Sequence, residues 1–265
     1  MLYYPQLTTG AIAQFPIKKR LIRRTAKTFA SGASSLKLAD ADLSLAEWDL
    51  TYTGLSDAEL QSMQDLFSVT RGRLLTFLFL DPTDNLLAWS ESLTKSAWTK
   101  DPLLTLSEGV EDHAGSTRAV RLSNAGGAVQ SLSQTVNVPG WYRYCFSLFV
   151  RSEVEFAFTL GLTNADGQPS ASFEAIPEWR RHFFSAAIAG LAEDLTVRLE
   201  LPAGAALECF GLQVEAQPGA SPYKKTGENG GVYPAARFAE DHLTHTTNIQ
   251  NDHDLRVRVI SRADR

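Results

Sequence analysis

Asp254-Leu255-Arg256-Val257-Arg258-Val259-Ile260-Ser261 decides how this chain is organised. Leu255, Val257 and Val259 alternate with Arg256, Arg258 and Ile260, the period-2 pattern of a strand with one polar face. A lone strand cannot bury its apolar side and needs a sheet. The segment before it, from Tyr223, opens as a loop with Gly227, Asn229, Gly230 and Gly231 and supplies none. The partner sheet must therefore come from elsewhere in the chain.

The opening segment offers it. Glu47-Trp48-Asp49-Leu50-Thr51-Tyr52 alternates cleanly, with Trp48, Leu50 and Tyr52 on one face. Leu21–Thr25 and Ser35–Leu38 read as further strands bounded by Gly and Ser. Ser56 with Glu59 three residues later has the spacing of a capping box, and Leu55 can staple onto Leu60. Leu60, Met63, Leu66 and Phe67 then make the apolar stripe of a helix of about three turns. Arg71-Gly72-Arg73 ends it, and Leu74–Leu80 (LLTFLFL) reads as one buried strand bounded by Asp81-Pro82.

Between these two parts the composition changes. From Asp84 to Pro222 no good helix appears. Short apolar runs recur instead: Thr117–Leu122, Ala128–Val138, Trp141–Val150, Glu155–Leu162, Ser170–Phe173, Trp179–Ala187, Leu195–Leu201 and Leu207–Val214. Asn, Asp, Gly and Pro clusters separate them, as in an all-β sandwich, and an antiparallel jelly roll of about eight strands fits the count. The expected fold class is thus mainly β: a split β-sandwich or barrel domain with one α-helix, plus an inserted jelly roll. Residues 1–83 and 224–265 share the first core and 84–223 form the second. Exposed turns such as Asp81-Pro82 tolerate insertions of this kind.

With 265 residues, 44% hydrophobic and 21% charged, the chain is long and apolar enough for two globular domains. No window approaches eighteen uninterrupted apolar residues, and Met1-Leu2-Tyr3-Tyr4-Pro5 lacks the order of a secretion signal, so no membrane insertion and synthesis in a cytosol are expected. The net charge of −5 argues against a general nucleic-acid binder. The charge is uneven. No acidic residue precedes Asp40, whereas Lys18, Lys19, Arg20, Arg23, Arg24, Lys27 and Lys37 are basic; residues 84–222 hold 16 acidic against 9 basic residues. Clustered cations could meet phosphates, but no recognition helix or interleaved aromatics accompany them, and pairing with an acidic neighbour in an assembly is the better reading. Cys145 and Cys209 sit in apolar runs and read as buried thiols.

Candidate chemistry is sparse. Glu240-Asp241-His242 with His245 superficially looks like a zinc cluster, but the histidines are three apart, and Thr244, Thr246 and Thr247 favour extended chain. His113, His182 and His253 read as solvated or partly packed. Glu111-Asp112, Glu193-Asp194 and Asp252/Asp254 read as solvated turn charges. No nucleophile elbow, Walker loop or dinucleotide fingerprint is present. The chain is expected not to be an enzyme and to need no cofactor or metal; nothing indicates a structural calcium. Trp141 and Trp179 begin strands, where packing is the expectation. Trp89 and Trp98 flank the entry loop and are the candidate glycan-contact residues, since exposed indoles can stack on sugar faces.

Tyr4-Pro5-Gln6-Leu7-Thr8-Thr9-Gly10, Trp48–Tyr52, Leu55–Glu59, Leu66-Phe67, Gly72-Arg73 and Phe77–Pro82 together resemble distal-tail or minor tail proteins from the tail tip, or baseplate, of long-tailed phages and prophages. Asn85-Leu86-Leu87-Ala88-Trp89-Ser90-Glu91 followed by Ala97–Lys100, and Gly211–Ala216 followed by Ser221-Pro222-Tyr223, look like the opening and closing of carbohydrate-binding-module-like (galactose-binding-like) jelly rolls found in phage structural proteins. The resemblance implies a structural component of the virion tail, assembled in the host bacterial cytoplasm. It implies a ring, commonly a hexamer, joining tail tube to tail-tip hub through contacts with other copies, the tube and the hub. The outward jelly roll would face host-surface polysaccharide. In the alternative reading, the jelly roll is the main functional module, as a carbohydrate-binding adhesin.

Overall fold

The computed structural model describes residues 1–29 and 35–263; the side chains of residue 24 and residues 26–43 lie outside that description. Basic residues Arg24, Lys27 and Lys37 fall in this group. The chain divides into two compact units, one formed by residues 1–8, 12–80 and 233–265 and the other by residues 9–11 and 81–232. Both are β-rich, the described strands pair antiparallel, and a single α-helix is present among the described residues.

The first unit opens with β1 (Lys18–Phe29), β2 (Ser35–Leu55), α1 (Asp57–Val69) and β3 (Phe77–Leu80). The second carries β4 (Thr99–Lys100), β5 (Leu104–Val110), β6 (Ala119–Asn124), β7 (Gln130–Val136), β8 (Arg143–Arg151), β9 (Phe156–Thr163), β10 (Ser170–Ala175), β11 (Arg180–Ala187), β12 (Leu195–Leu201) and β13 (Ala206–Glu215). The first unit then closes with β14 (Val232–Phe238), β15 (Thr244–Ile249) and β16 (Asp252–Arg262).

In the first unit, the strands run β1-β2-β16-β14-β3, and β15 pairs with β16 beside β14. The closing strand is therefore internal: β16 pairs with β2 from His253↔Leu55 to Arg262↔Leu45. Alternation puts Leu255, Val257 and Val259 of β16 and Trp48, Leu50 and Tyr52 of β2 on the buried side. There Trp48 packs against Phe79 (4.9 Å between ring centroids) and Tyr233 (4.5 Å), and the Tyr4 and Tyr52 hydroxyls meet at 2.8 Å. Charged partners line the opposite side. Lys18 stands across from Asp49, Arg20 bonds Glu47 at 2.5 Å, and Arg256 bonds Asp49 with two nitrogens. Part of the N-terminal basic cluster is thus answered by carboxylates of the neighbouring strand.

Helix α1 starts as its sequence dictates. Ser56 Oγ accepts from the Glu59 amide, and Glu59 returns to the Ser56 amide at 2.9 Å. Leu60, Met63 and Leu66 face the core. Glu59 also accepts from the Thr8 amide (2.8 Å) and hydroxyl (2.7 Å). Burial opposes the charge on Glu59, but the bonds from Ser56 and Thr8 outweigh it and hold the carboxyl at about 2, against an ordinary 4.5. A lowered native pKa means stability that is present above 4.5 and is lost as pH falls toward 2. Denaturant unfolding of the parent and Glu59→Gln is expected to show a gap of about 1 kcal/mol at pH 7 that narrows below pH 4.5. A pH-independent gap would refute this.

Three expectations need correction. Leu74–Leu80 is not one strand: Leu74 (61% exposed) and Leu75 (45%) lie outside it, because Arg71 and Gly72 take left-handed backbone and the Leu75 amide folds back onto Thr70. Gly72 is required there, since a Cβ would sit 2.8 Å from the Asp241 carboxylate. The junctions fall at 80/81 and 232/233 rather than 83/84 and 223/224. The reason is hydrogen bonding: Asp81 N–H donates to Gly231 O (2.8 Å), Gly231 N–H to Asn85 O (2.7 Å) and Trp89 N–H to Gly227 O (2.6 Å), which ties residues 81–83 and 224–232 to the insertion.

The insertion has ten strands rather than about eight, in two five-stranded antiparallel sheets, β10-β9-β12-β7-β4 and β11-β8-β13-β6-β5. This is the jelly-roll architecture. Leu195, Val197, Leu199 and Leu201 of one sheet and Tyr144, Phe146, Leu148 and Val150 of the other are buried. His182 bridges the layers against Phe158 and Phe173, and burial lowers its pKa. A bulge in β13 lies between Phe210 and Gln213, where Gly211 is left-handed (φ 67°) and a Cβ would press on the Tyr223 ring at 3.2 Å.

Candidate functional site

The solvent-side face of the β11-β8-β13-β6-β5 sheet concentrates the insertion's polar and aromatic chemistry. Register arranges it in rows across the strands: Ser185, Cys145 and Glu215; Phe183, Ser147 and Gln213; Arg181, Phe149 and Phe210; then Arg151, Glu208 and Arg121. Trp179, just before β11, lies beside Arg151, whose guanidinium is 4.9 Å from the indole ring centre. By contrast, the solvent side of the other sheet carries Thr159, Thr163, Thr196, Arg198, Glu200, Ser131, Ser133 and Thr135, with no aromatic ring among them.

The chain itself covers the β13 side of the face. Gln213 accepts from the Lys224 amide (2.7 Å) and donates to Ser221 O (3.2 Å), while Glu215 binds Lys224 Nζ (2.8 Å) and the Ser221 amide (3.0 Å). Tyr223 packs edge-on against Phe210, whose face also meets the Arg118 guanidinium. Loop 111–118 comes over from the other side. Asp112 fixes it by accepting from the Ala114 and Ser116 amides and from Arg118, and these bonds hold its carboxyl below the usual range despite burial. His113 lies flat on Phe149, 4.1 Å away and tilted by 5°.

What stays accessible is the β11–β8 side and one end. Phe183 is 53% exposed. At the end, Arg121, Arg151, Glu153, Glu208, Pro177 and Ser152 line a cavity of about 260 Å³. Arg151 bonds Glu208 at 2.5 Å and Arg121 bonds Glu153 at 2.7 Å, so its four charges cancel pairwise. Arg121 holds the Glu153 carboxyl below its ordinary value. Paired guanidinium and carboxylate groups offer donors and acceptors together without net charge, which suits the hydroxyls of a neutral ligand better than an ion.

The residues singled out by sequence fall differently. Trp98 is buried (7% exposed), and its indole N–H donates to the Trp89 carbonyl at 3.1 Å. It leaves no ring face for a sugar; its glycan-contact role is corrected to packing. Trp89 is half-buried with Lys95 5.0 Å from its ring centre. The two meet each other through that bond. His253, expected to be solvated or partly packed, is buried between Asp57 (2.6 Å) and Thr247 (3.0 Å). His242 and His245 are exposed, and the described residues contain no group of three or more His, Cys, Asp or Glu able to hold a metal. Burial pushes the Cys145 and Cys209 thiols up to about 12. Among the described residues, no helix is long and apolar enough to cross a membrane. Trp179, expected to pack at a strand start, is half-buried against Arg151, and Phe183 was not singled out, although the alternation Trp179, Arg181, Phe183, Ser185 puts both on one strand face.

Comparison with solved structures gives likenesses of fold. The C-terminal family 22 carbohydrate binding module of Clostridium thermocellum Xyn10B is similar at 15% identity over 54% of this chain and 99% of that one (TM-score 0.44). TmCBM61, solved with beta-1,4-galactotriose, is similar at 19% identity over 49% of this chain and 97% of that one (TM-score 0.36). The enzymatically active domain of bacteriophage CBA120 tailspike protein 4 is similar at 10% identity over 51% of this chain (TM-score 0.40), which spans 22% of that domain's length. No protein-family model matches the sequence, and comparison with curated proteins finds no match.

Proposed function

We propose that this chain is a non-enzymatic structural component of a phage tail whose inserted jelly roll binds host-surface polysaccharide. The observation that carries the reading is the uncovered band on the insertion's outer face. Exposed Phe183 provides ring surface, half-buried Trp179 against Arg151 and His113 on Phe149 extend it, and the charge-paired cavity of Arg121, Arg151, Glu153 and Glu208 supplies hydroxyl partners. The tail assignment rests on the resemblance of the split domain's sequence to tail-tip proteins. In that setting the free edges of β1 and β15 would meet other copies or neighbouring tail proteins, closing a ring by head-to-tail contacts.

A glycan array probed with the full chain is expected to show binding to neutral polysaccharides. Trp179→Ala and Phe183→Ala should each weaken it about tenfold, or ~1.4 kcal/mol, with circular dichroism unchanged. Trp98→Ala should instead lower stability. Electron microscopy of the same preparation is expected to show rings, with no reducing ends released from bound polysaccharide. Array silence, or binding indifferent to both ring deletions, would refute the glycan role; a strict monomer absent from purified virions would refute the tail role. If glycans bind but rings are absent, the adhesin reading, in which the insertion is the main functional module, replaces the first.

A further inference from the structure

The split domain carries a groove of its own, independent of the glycan reading. Register places Ile22, Leu45 and Arg262 in one row on the charged side of its sheet, and Arg20, Glu47, Ile260 and Arg237 in the next. Beside them lies a cavity of about 360 Å³, lined by apolar Leu45, Phe238 and Ile260 and by Arg73, Arg237 and Arg262.

The arginines are the unusual feature. Elsewhere on this side, among the described side chains, arginines meet carboxylates: Arg20 meets Glu47, Arg256 meets Asp49 and Arg258 meets Glu240. Around the groove the pattern stops. Among the described residues Arg237 and Arg262 have no ion-pair partner, and Arg73 reaches Asp241 only at 3.9 Å with both side chains largely exposed. Among the described residues, then, two of the three cations around this apolar pocket, Arg237 and Arg262, have no matching anion, and Arg73 has one distant, exposed partner. Ile22 is 39% exposed next to Leu45, and Leu74 and Leu75, which follow Arg73, are exposed too. Guanidinium forks bind carboxylates bidentately, and an apolar floor between them asks for apolar side chains at the same spacing. A phosphate backbone matches less well, because it gains nothing from the apolar floor.

We infer that this groove docks an acidic segment of a partner protein, one in which Asp or Glu alternates with Val, Leu or Ile. The test is fluorescence anisotropy on the full chain with three labelled probes: a ten-residue peptide alternating Glu and Val, its Lys-for-Glu counterpart, and oligothymidylate. The acidic peptide is expected to bind, and Arg237→Glu/Arg262→Glu to weaken it about tenfold or more while improving binding of the Lys peptide. Both positions are exposed, so the thermal transition should not move, and added salt should weaken the complex. No binding of the acidic peptide at millimolar concentration would overturn the inference. So would binding unchanged in the double variant, equal binding of oligothymidylate, or self-association of the chain that the double variant abolishes.

Discussion

Truncating the chain before Asp252 is expected to unfold the split domain and to leave the insertion's own transition in place. The deleted strand β16 sits between β2 and the pair β14/β15, and loses Leu255, Val257 and Val259 from the core, each at most 2% exposed. At about 2 kcal/mol per buried aliphatic side chain this removes ~6 kcal/mol, before counting the ladder of bonds to β2. Small domains are stable by only about 5–15 kcal/mol, so the loss is not survivable. Hydrogen exchange reads both units at once: amides of residues 44–55 should exchange freely, while those of 143–151 remain protected. Protection of residues 44–55 in the truncated chain would show that the opening segment folds without its closing strand.

Asn85→Asp is expected to be the most damaging single-atom-scale change in the insertion. Asn85 is fully buried, and its amide donates to the carbonyls of Leu212 (2.8 Å) and Lys224 (3.3 Å) while its oxygen accepts from the amides of Leu87 (3.1 Å) and Val214 (2.9 Å). One side chain therefore pins the entry loop, the end of β13 and the exit segment. An aspartate keeps the acceptor bonds but turns an oxygen toward two carbonyls, leaving buried groups unpaired at about 1–3 kcal/mol each, or roughly 4 kcal/mol in all. Protonation would restore a donor, so the native pKa of the new carboxyl is raised. Its deficit should be smallest below the unfolded carboxyl pKa, about pH 4, and grow as pH rises. Urea midpoints at pH 3.5 and 7 test this, and a deficit that shrinks with rising pH would contradict the assigned bonding.

Residues 254–261 and 47–52 announced their sheet faces because one side of each is buried and the other solvated. Ser56 and Glu59 announced a helix start because both halves of the cap lie within four residues. The strands β4 and β5 stayed silent for the converse reason. One is two residues long, and in the other Leu104 alone is fully buried, so no period shows. The junctions were displaced because backbone groups, which carry no sequence signal, make the Asp81, Asn85 and Gly231 bonds. The site was less legible still. Whether an indole faces sugar or core depends on tertiary neighbours: the Trp98 N–H finds the carbonyl of Trp89, while Gln213 and Glu215 are spent on the chain's own Ser221 and Lys224.

The internal position of β16 also sets a timetable for biosynthesis. Tyr52 and Leu255 are neighbours in the sheet but about two hundred residues apart along the chain. A ribosome finishes every strand of the insertion before it delivers the strand that β2 awaits. The insertion can thus mature on the nascent chain while the opening sheet is still incomplete, with Trp48 and Tyr52 uncovered along one edge. Any factor that shields apolar surface during translation would be needed at that edge, and only until the last strand emerges.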